Sequence, residues 1–179
     1  MNTRRKLIYA VAFSVVSFVI SAALSLGVGG YILNVFFDPI LNLTLPLIVV
    51  MVGIQAINDK MGPLYIGLIT AVLFIIFFLP FITIPWIIIA VVVEFLTRKI
   101  GYRGLKAVVT YTTITGALEG ILSVVLAVYL FTYLLPKNIP MPTPTDWAIF
   151  SIIMIVESAV MGFISHYLGQ YFIKVGIIK

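Results

Sequence analysis

No cysteine occurs anywhere in the 179 residues. Disulfide staples, thiolate metal sites and cysteine nucleophiles are therefore excluded. Charge is also scarce. Only 9% of the residues are Asp, Glu, Lys or Arg, against about 25% in an ordinary soluble domain. There is a single histidine, without an HExxH partner, so no spacing makes a convincing metal site. No GxxxxGK[ST] loop is present, which excludes a P-loop nucleotide site. No nucleophile–base pair or metal triad points to an intramembrane enzyme, and no catalytic residue or cofactor is expected.

What the chain has instead is apolar length. It is 63% hydrophobic, which marks a membrane protein with room for one helical bundle and none for a soluble catalytic domain. The apolar run after Arg4, Arg5 and Lys6 superficially resembles a signal peptide. It continues for about 20 residues, however, and Leu24 to Gly30 is a poor cleavage site, so we read it as a retained span.

Hydrophobic runs predict an all-α bundle of six transmembrane helices, over about 7–26, 40–57, 62–79, 82–97, 105–134 and 146–173. Pro46 falls near the start of the second. Met61-Gly62-Pro63 opens the third through a tight turn. Pro80 to Pro85 reads as a short uncharged turn. Glu94 and Arg98 stand at the i, i+4 spacing of a helix ion pair. Asp146 is a candidate N-cap for the last span. The segment between spans 1 and 2 carries Asn34, Asp38, Pro39 and Asn42, is too broken to cross a membrane, and reads as an ordered or re-entrant loop over the bundle.

Six spans place both termini on one side. That side collects Arg4, Arg5, Lys6, Lys60, Arg98, Lys99, Arg103, Lys106, Lys174 and Lys179; the other holds Lys137 alone. The bias predicts cytoplasmic termini. The basic residues sit between apolar runs and form no stripe, so the net charge of +5 reports topology, not nucleic-acid binding.

Two spans carry a carboxylate in apolar surroundings: Glu119, between Gly116 and Gly120, and Glu157, followed by Ser158 and Gly162. An ionised group at such depth costs at least ~2.5 kcal/mol, so each is expected to face protein or water. Their distances from the outer helix ends differ by about one helical turn, and both are expected to line one chamber open to the outside. Two acids suit a cationic or amine-bearing ligand, or protons; alternatively they hydrogen-bond Thr and Ser hydroxyls of facing helices. Trp86, Tyr129, Tyr133, Trp147 and Phe150 ring the outer end, either as an interfacial aromatic belt or as a ligand-stacking surface. His166 reads as a helix-interface residue. On span 1, Ala10, Ser14, Ser17, Ser21 and Ser25 form a small-residue face for close packing, within the bundle or against another subunit.

These features resemble the substrate-binding (S) component of energy-coupling factor transporters: the size, the six spans, the basic N-terminus, the small face of span 1, the capping loop, and the pattern LPLIVVMVGIQAINDKMGPLYIGLITAVL with Gly62, Pro63 and Gly67. Ala10 and Ser14 are similar to the Ala-xxx-Ala motif by which such components dock, with Ser in place of the second Ala; Ser17 and Ser21 continue that face. The resemblance implies a non-enzymatic receptor in a prokaryotic cell membrane. It would bind a vitamin-like ligand from outside, between the first extracellular loop with Asn34 and Asp38 and spans 4 to 6 with Glu119, Glu157, Tyr129, Tyr133 and Trp147. Its partners would be a transmembrane coupling subunit and two cytosolic ATPases. The competing expectation is a six-span scaffold of a cell-envelope assembly. A carrier working alone is a third, but the two halves of the chain show no convincing similarity.

Overall fold

A computed structural model describes residues 1–28, 36–42, 44–135 and 141–178. The described residues contain helices and no strand: α1 (Thr3–Val28), a short α2 (Phe37–Asn42), α3 (Leu45–Ile57), α4 (Gly62–Ile76), α5 (Pro80–Ile100), α6 (Leu105–Tyr129) and α7 (Pro144–Lys174), with a 3-10 turn at Thr132–Leu134. Four of them, α1, α5, α6 and α7, are long and apolar enough to cross a membrane; α3 and α4 are shorter apolar helices.

Proline sets most of the helix starts. A proline stands in the first turn of α3, α4, α5 and α7, where the missing N–H has no intrahelical partner to lose and the fixed φ is already helical. This explains two departures from the sequence reading. Pro80 to Pro85 is not a turn but the first part of α5, with Pro80 opening the helix and Pro85 tolerated inside it. The second span does not begin at Ile40: Ile40 belongs to α2, and α3 starts afresh at Leu45 with Pro46 in its first turn. The fifth expected span, α6, ends at Tyr129, short of Leu134. The cap of α7 is Thr143, and Asp146 is its capping-box partner: Thr143 Oγ1 accepts the Asp146 N–H and Asp146 Oδ2 accepts the Thr143 N–H. The two thus satisfy each other's free backbone donors.

The helices close into a ring. α1 packs on α4, α4 on α5, α5 on α6, α6 on α7, α7 on α3, and α3 on α1. α3 is buried along almost its whole length, from Pro46 to Ile57, as expected of a helix that is apolar all round. The α4–α5 crossing is close because Gly67 lies against Ala90: a Cβ there would come within 2.8 Å of the Ala90 Cα.

The bundle has a basic end and an aromatic end. The basic end comprises the start of α1, the turn 58–61, the end of α5, the turn 101–104, the start of α6 and the end of α7; it holds every Lys and Arg among the described residues. It is also tied by polar contacts. Lys6 Nζ lies 3.0 Å from Asp59 Oδ2, which also accepts the terminal amine. Hydrogen bonds from that amine and from Lys6 hold the Asp59 carboxyl below the usual carboxylate range. The expected Glu94–Arg98 pair forms at 2.6 Å.

Candidate functional site

The interior polar groups begin where α6 meets α7. At Gly116 a Cβ would collide with Ser158 Oγ, and at Gly162 it would come within 2.8 Å of the Val109 Cα. Glycine lets these two helices approach closely enough to pack without lipid between them. Glu119 lies three residues after Gly116 on α6, and Glu157 one residue before Ser158 on the antiparallel α7. At ~1.5 Å per residue the two carboxylates differ in depth by only about 3 Å.

Depth is shared, but the hollow is not. Glu119 is 5% exposed and lines a small cavity with Ser17 and Ser21 of α1, Pro46 and Leu47 of α3, Thr70 and Phe74 of α4, and Trp86 of α5. Glu157 is half-buried and is not among that cavity's lining residues; its Oε2 is buried and makes no hydrogen bond. The small cavity at Glu119 therefore does not itself extend to Glu157. α6 turns Gly116 toward α7 and Glu119 toward the cavity among α1, α3, α4 and α5, so the carboxylates look into different surroundings.

The Glu119 cavity measures about 20 Å³. This is room for one water molecule, far below the ~300 Å³ at which small-molecule pockets begin. Its walls are mainly apolar but carry a few polar groups. Ser17 Oγ donates to the Pro46 carbonyl at 2.9 Å, while Thr70 Oγ1 and Trp86 Nε1 are buried without a hydrogen-bond partner. Hydroxyls on α6 do not supply the expected cross-helix bonds: Thr112, Thr113 and Thr115 each donate to the carbonyl one turn back, at 2.6, 2.8 and 2.8 Å.

At the aromatic end, Tyr129 stacks on Trp147 with ring centroids 6.4 Å apart. Phe36 packs edge-on against Trp147 at 5.4 Å and against Phe150 at 4.5 Å. The chain just before α2 is thus pinned across the ends of α6 and α7. Tyr133 is exposed and meets only Phe131 among the ring contacts, at 6.2 Å. Trp86 is not on the rim but inside, 6% exposed. Asn34 lies outside the described residues; Asp38 sits in α2, and its side chain is outside what is described.

The small-residue face of α1 is enclosed. Ala10, Ser14, Ser17 and Ser21 are 0%, 0%, 4% and 5% exposed, and Ser14 Oγ donates to the Ile66 carbonyl at 3.1 Å. Of the two expectations for this face, burial matches packing within the bundle; the exposed side of α1 carries Ile8, Val11, Val15 and Val19 instead.

Gln55, read from the sequence only as the exit of a span, turns out to be a fully buried joint. Its Nε2 donates to the Ser165 carbonyl at 2.9 Å, its own carbonyl accepts from Arg103 Nε at 2.9 Å, and its amide fills the space left by Gly169. One amide on an otherwise apolar helix, opposite a glycine of the last span, is the only sequence signal of it. His166 is half-buried on α7, packed edge-on against Tyr167 at 5.4 Å.

No protein-family model matches the chain, and comparison with curated proteins and with solved structures finds none similar to it.

Proposed function

We propose that this chain is the substrate-capturing subunit of an energy-coupling-factor-type uptake transporter, crossing the cell membrane six times with both termini in the cytoplasm. In this reading α3 and α4 are the second and third spans, and the basic end faces inward, in keeping with the positive-inside bias. The ligand is a small, amine-bearing micronutrient taken from the aromatic end. A coupling subunit and two ATPases power its release.

One observation carries the reading: a carboxylate, Glu119, is buried deep in the bundle beside a small hollow that Ser17, Ser21 and Thr70 also line, with Phe36 packed on Trp147 and Phe150 at the aromatic end. Ionisable groups inside a membrane bundle are costly and mark solute or ion pathways by default. A cavity of about 20 Å³ is the closed state in this reading, and the ligand enters as it widens.

The test is direct. Purified protein is denatured and released compounds are identified by mass spectrometry; binding of the compound found is then measured for Glu119→Gln and Glu157→Gln. A vitamin-sized amine, bound at least tenfold more weakly by Glu119→Gln, is the expected result. Unchanged affinity in both variants would take the carboxylates out of the site.

The same small volume favours a second reading, a six-span scaffold without transport activity. It expects no co-purifying compound, and unimpaired assembly when Glu119 and Glu157 are replaced by glutamine.

A further inference from the structure

The α4–α5 connection differs from every other described turn. From Met61 to Val93 there is no charged or amide side chain, and the turn itself, 77–79, is Phe-Phe-Leu. Ile76, Phe77 and Phe78 are 61%, 59% and 84% exposed. Turns at the basic end carry Asp59, Lys60 and Arg103 instead, and α7 begins with Thr143, Thr145 and Asp146.

Its backbone is closed on itself. The Phe78 N–H bonds the Ile75 carbonyl and the Leu79 N–H the Phe74 carbonyl, both at 3.0 Å; Pro80 has no N–H. The Leu79 carbonyl accepts from the Ile82 and Thr83 N–H groups and from Thr83 Oγ1. Keeping this arrangement requires Phe78 to hold φ at +57°, a region a bulky residue rarely enters. These are the bonds of a Schellman helix cap; they leave fewer backbone groups unpaired, and in hydrocarbon each unpaired group would cost several kcal/mol.

We propose that the α4–α5 turn ends inside the hydrocarbon layer, with Phe77 and Phe78 in contact with lipid acyl chains. This rests on the membrane-spanning reading above.

The absence of cysteine makes the test clean. Single-cysteine variants Phe78→Cys, Phe77→Cys, Thr145→Cys and Lys60→Cys are reconstituted in phosphatidylcholine–phosphatidylglycerol vesicles and exposed to a membrane-impermeant maleimide. Thr145→Cys and Lys60→Cys should label from opposite faces, and both phenylalanine variants at least tenfold more slowly than Thr145→Cys until detergent is added. Nitroxides at 77 and 78 should then collide with oxygen far more than with a water-soluble nickel chelate. Labelling of the phenylalanine variants as fast as Thr145→Cys would put the turn in water and overturn the proposal. Slow labelling with low accessibility to oxygen as well would mean a protein cover, and would overturn it too. If Thr145→Cys and Lys60→Cys label from one face, the spanning reading itself fails and takes the proposal with it.

Discussion

Glu94 Oε1 takes two hydrogen bonds at once, from Arg98 Nε at 2.6 Å and from the Met61 backbone N–H at 2.9 Å. The first is the helix pair legible in the sequence. The second reaches across to the α3–α4 turn, where Met61 holds φ at +67° and Asn58 at +46°. Glu94, 4% exposed, is thus the group that fixes the entry of α4.

Removing it should loosen that turn. Glu94→Ala leaves the Met61 N–H without its acceptor, and a loss of about 1–3 kcal/mol is expected, the cost of an orphaned partner. The 40% exposure of Arg98 keeps the ion-pair share small. Thermal unfolding in detergent reads the effect; a midpoint equal to that of the parent protein would show that the turn holds without Glu94.

Met61→Gly should act in the opposite direction. Glycine enters the left-handed region without the steric penalty of ~1–2 kcal/mol that other residues carry. A gain of roughly 1 kcal/mol or less, net of the glycine's added freedom in the unfolded chain, is expected in the same assay.

Close helix crossings give a graded prediction. A Cβ at Gly67 meets the Ala90 Cα at 2.8 Å, which is backbone and cannot swing away, so Gly67→Ala should destabilise by about 1–3 kcal/mol, the range for overpacking. At Gly104 a Cβ meets nothing within 4 Å, and Gly104→Ala should change stability by no more than about 0.5 kcal/mol. Equal midpoints for the two variants would contradict the close α4–α5 contact.

Asp59 sets a pH dependence. Its folded pKa is depressed, chiefly by the terminal amine and then by Lys6. Its contribution is therefore fully present above the unfolded carboxylate value of about 3.9 and is lost as pH falls below that toward the folded value. Stability measured from pH 6 downward should fall off below about pH 4, and Asp59→Asn should remove that part of the slope.

Much of the frame could be read from the residues because bilayer-length apolar runs and basic flanks are strong signals. The starts of α3 and α5 could not. A proline reads equally as a turn or as the first residue of a helix, and at Pro80 and Pro46 the helical reading won. The candidate site was legible in part. Glycines beside Glu119 and Glu157 located the α6–α7 contact, and helical rise gave the matching depth. Which way each carboxylate faces depends on the rotation of α6 between α5 and α7, and that is decided by packing partners far apart in sequence. Gln55 was passed over for the same reason: its partners Arg103 and Ser165 come from the far half of the chain.

The enclosure of α3 bears on how the protein is assembled. At 13 residues this helix rises about 20 Å, too little to cross a bilayer alone, so it must enter paired with α4 as a hairpin. Its Gln55 amide then waits for the Ser165 carbonyl of α7. A chain whose synthesis stops after α5 leaves that amide only its bond to the Met51 carbonyl of its own helix and the ring open, so the last helix to be made completes the first half of the protein as well as its own.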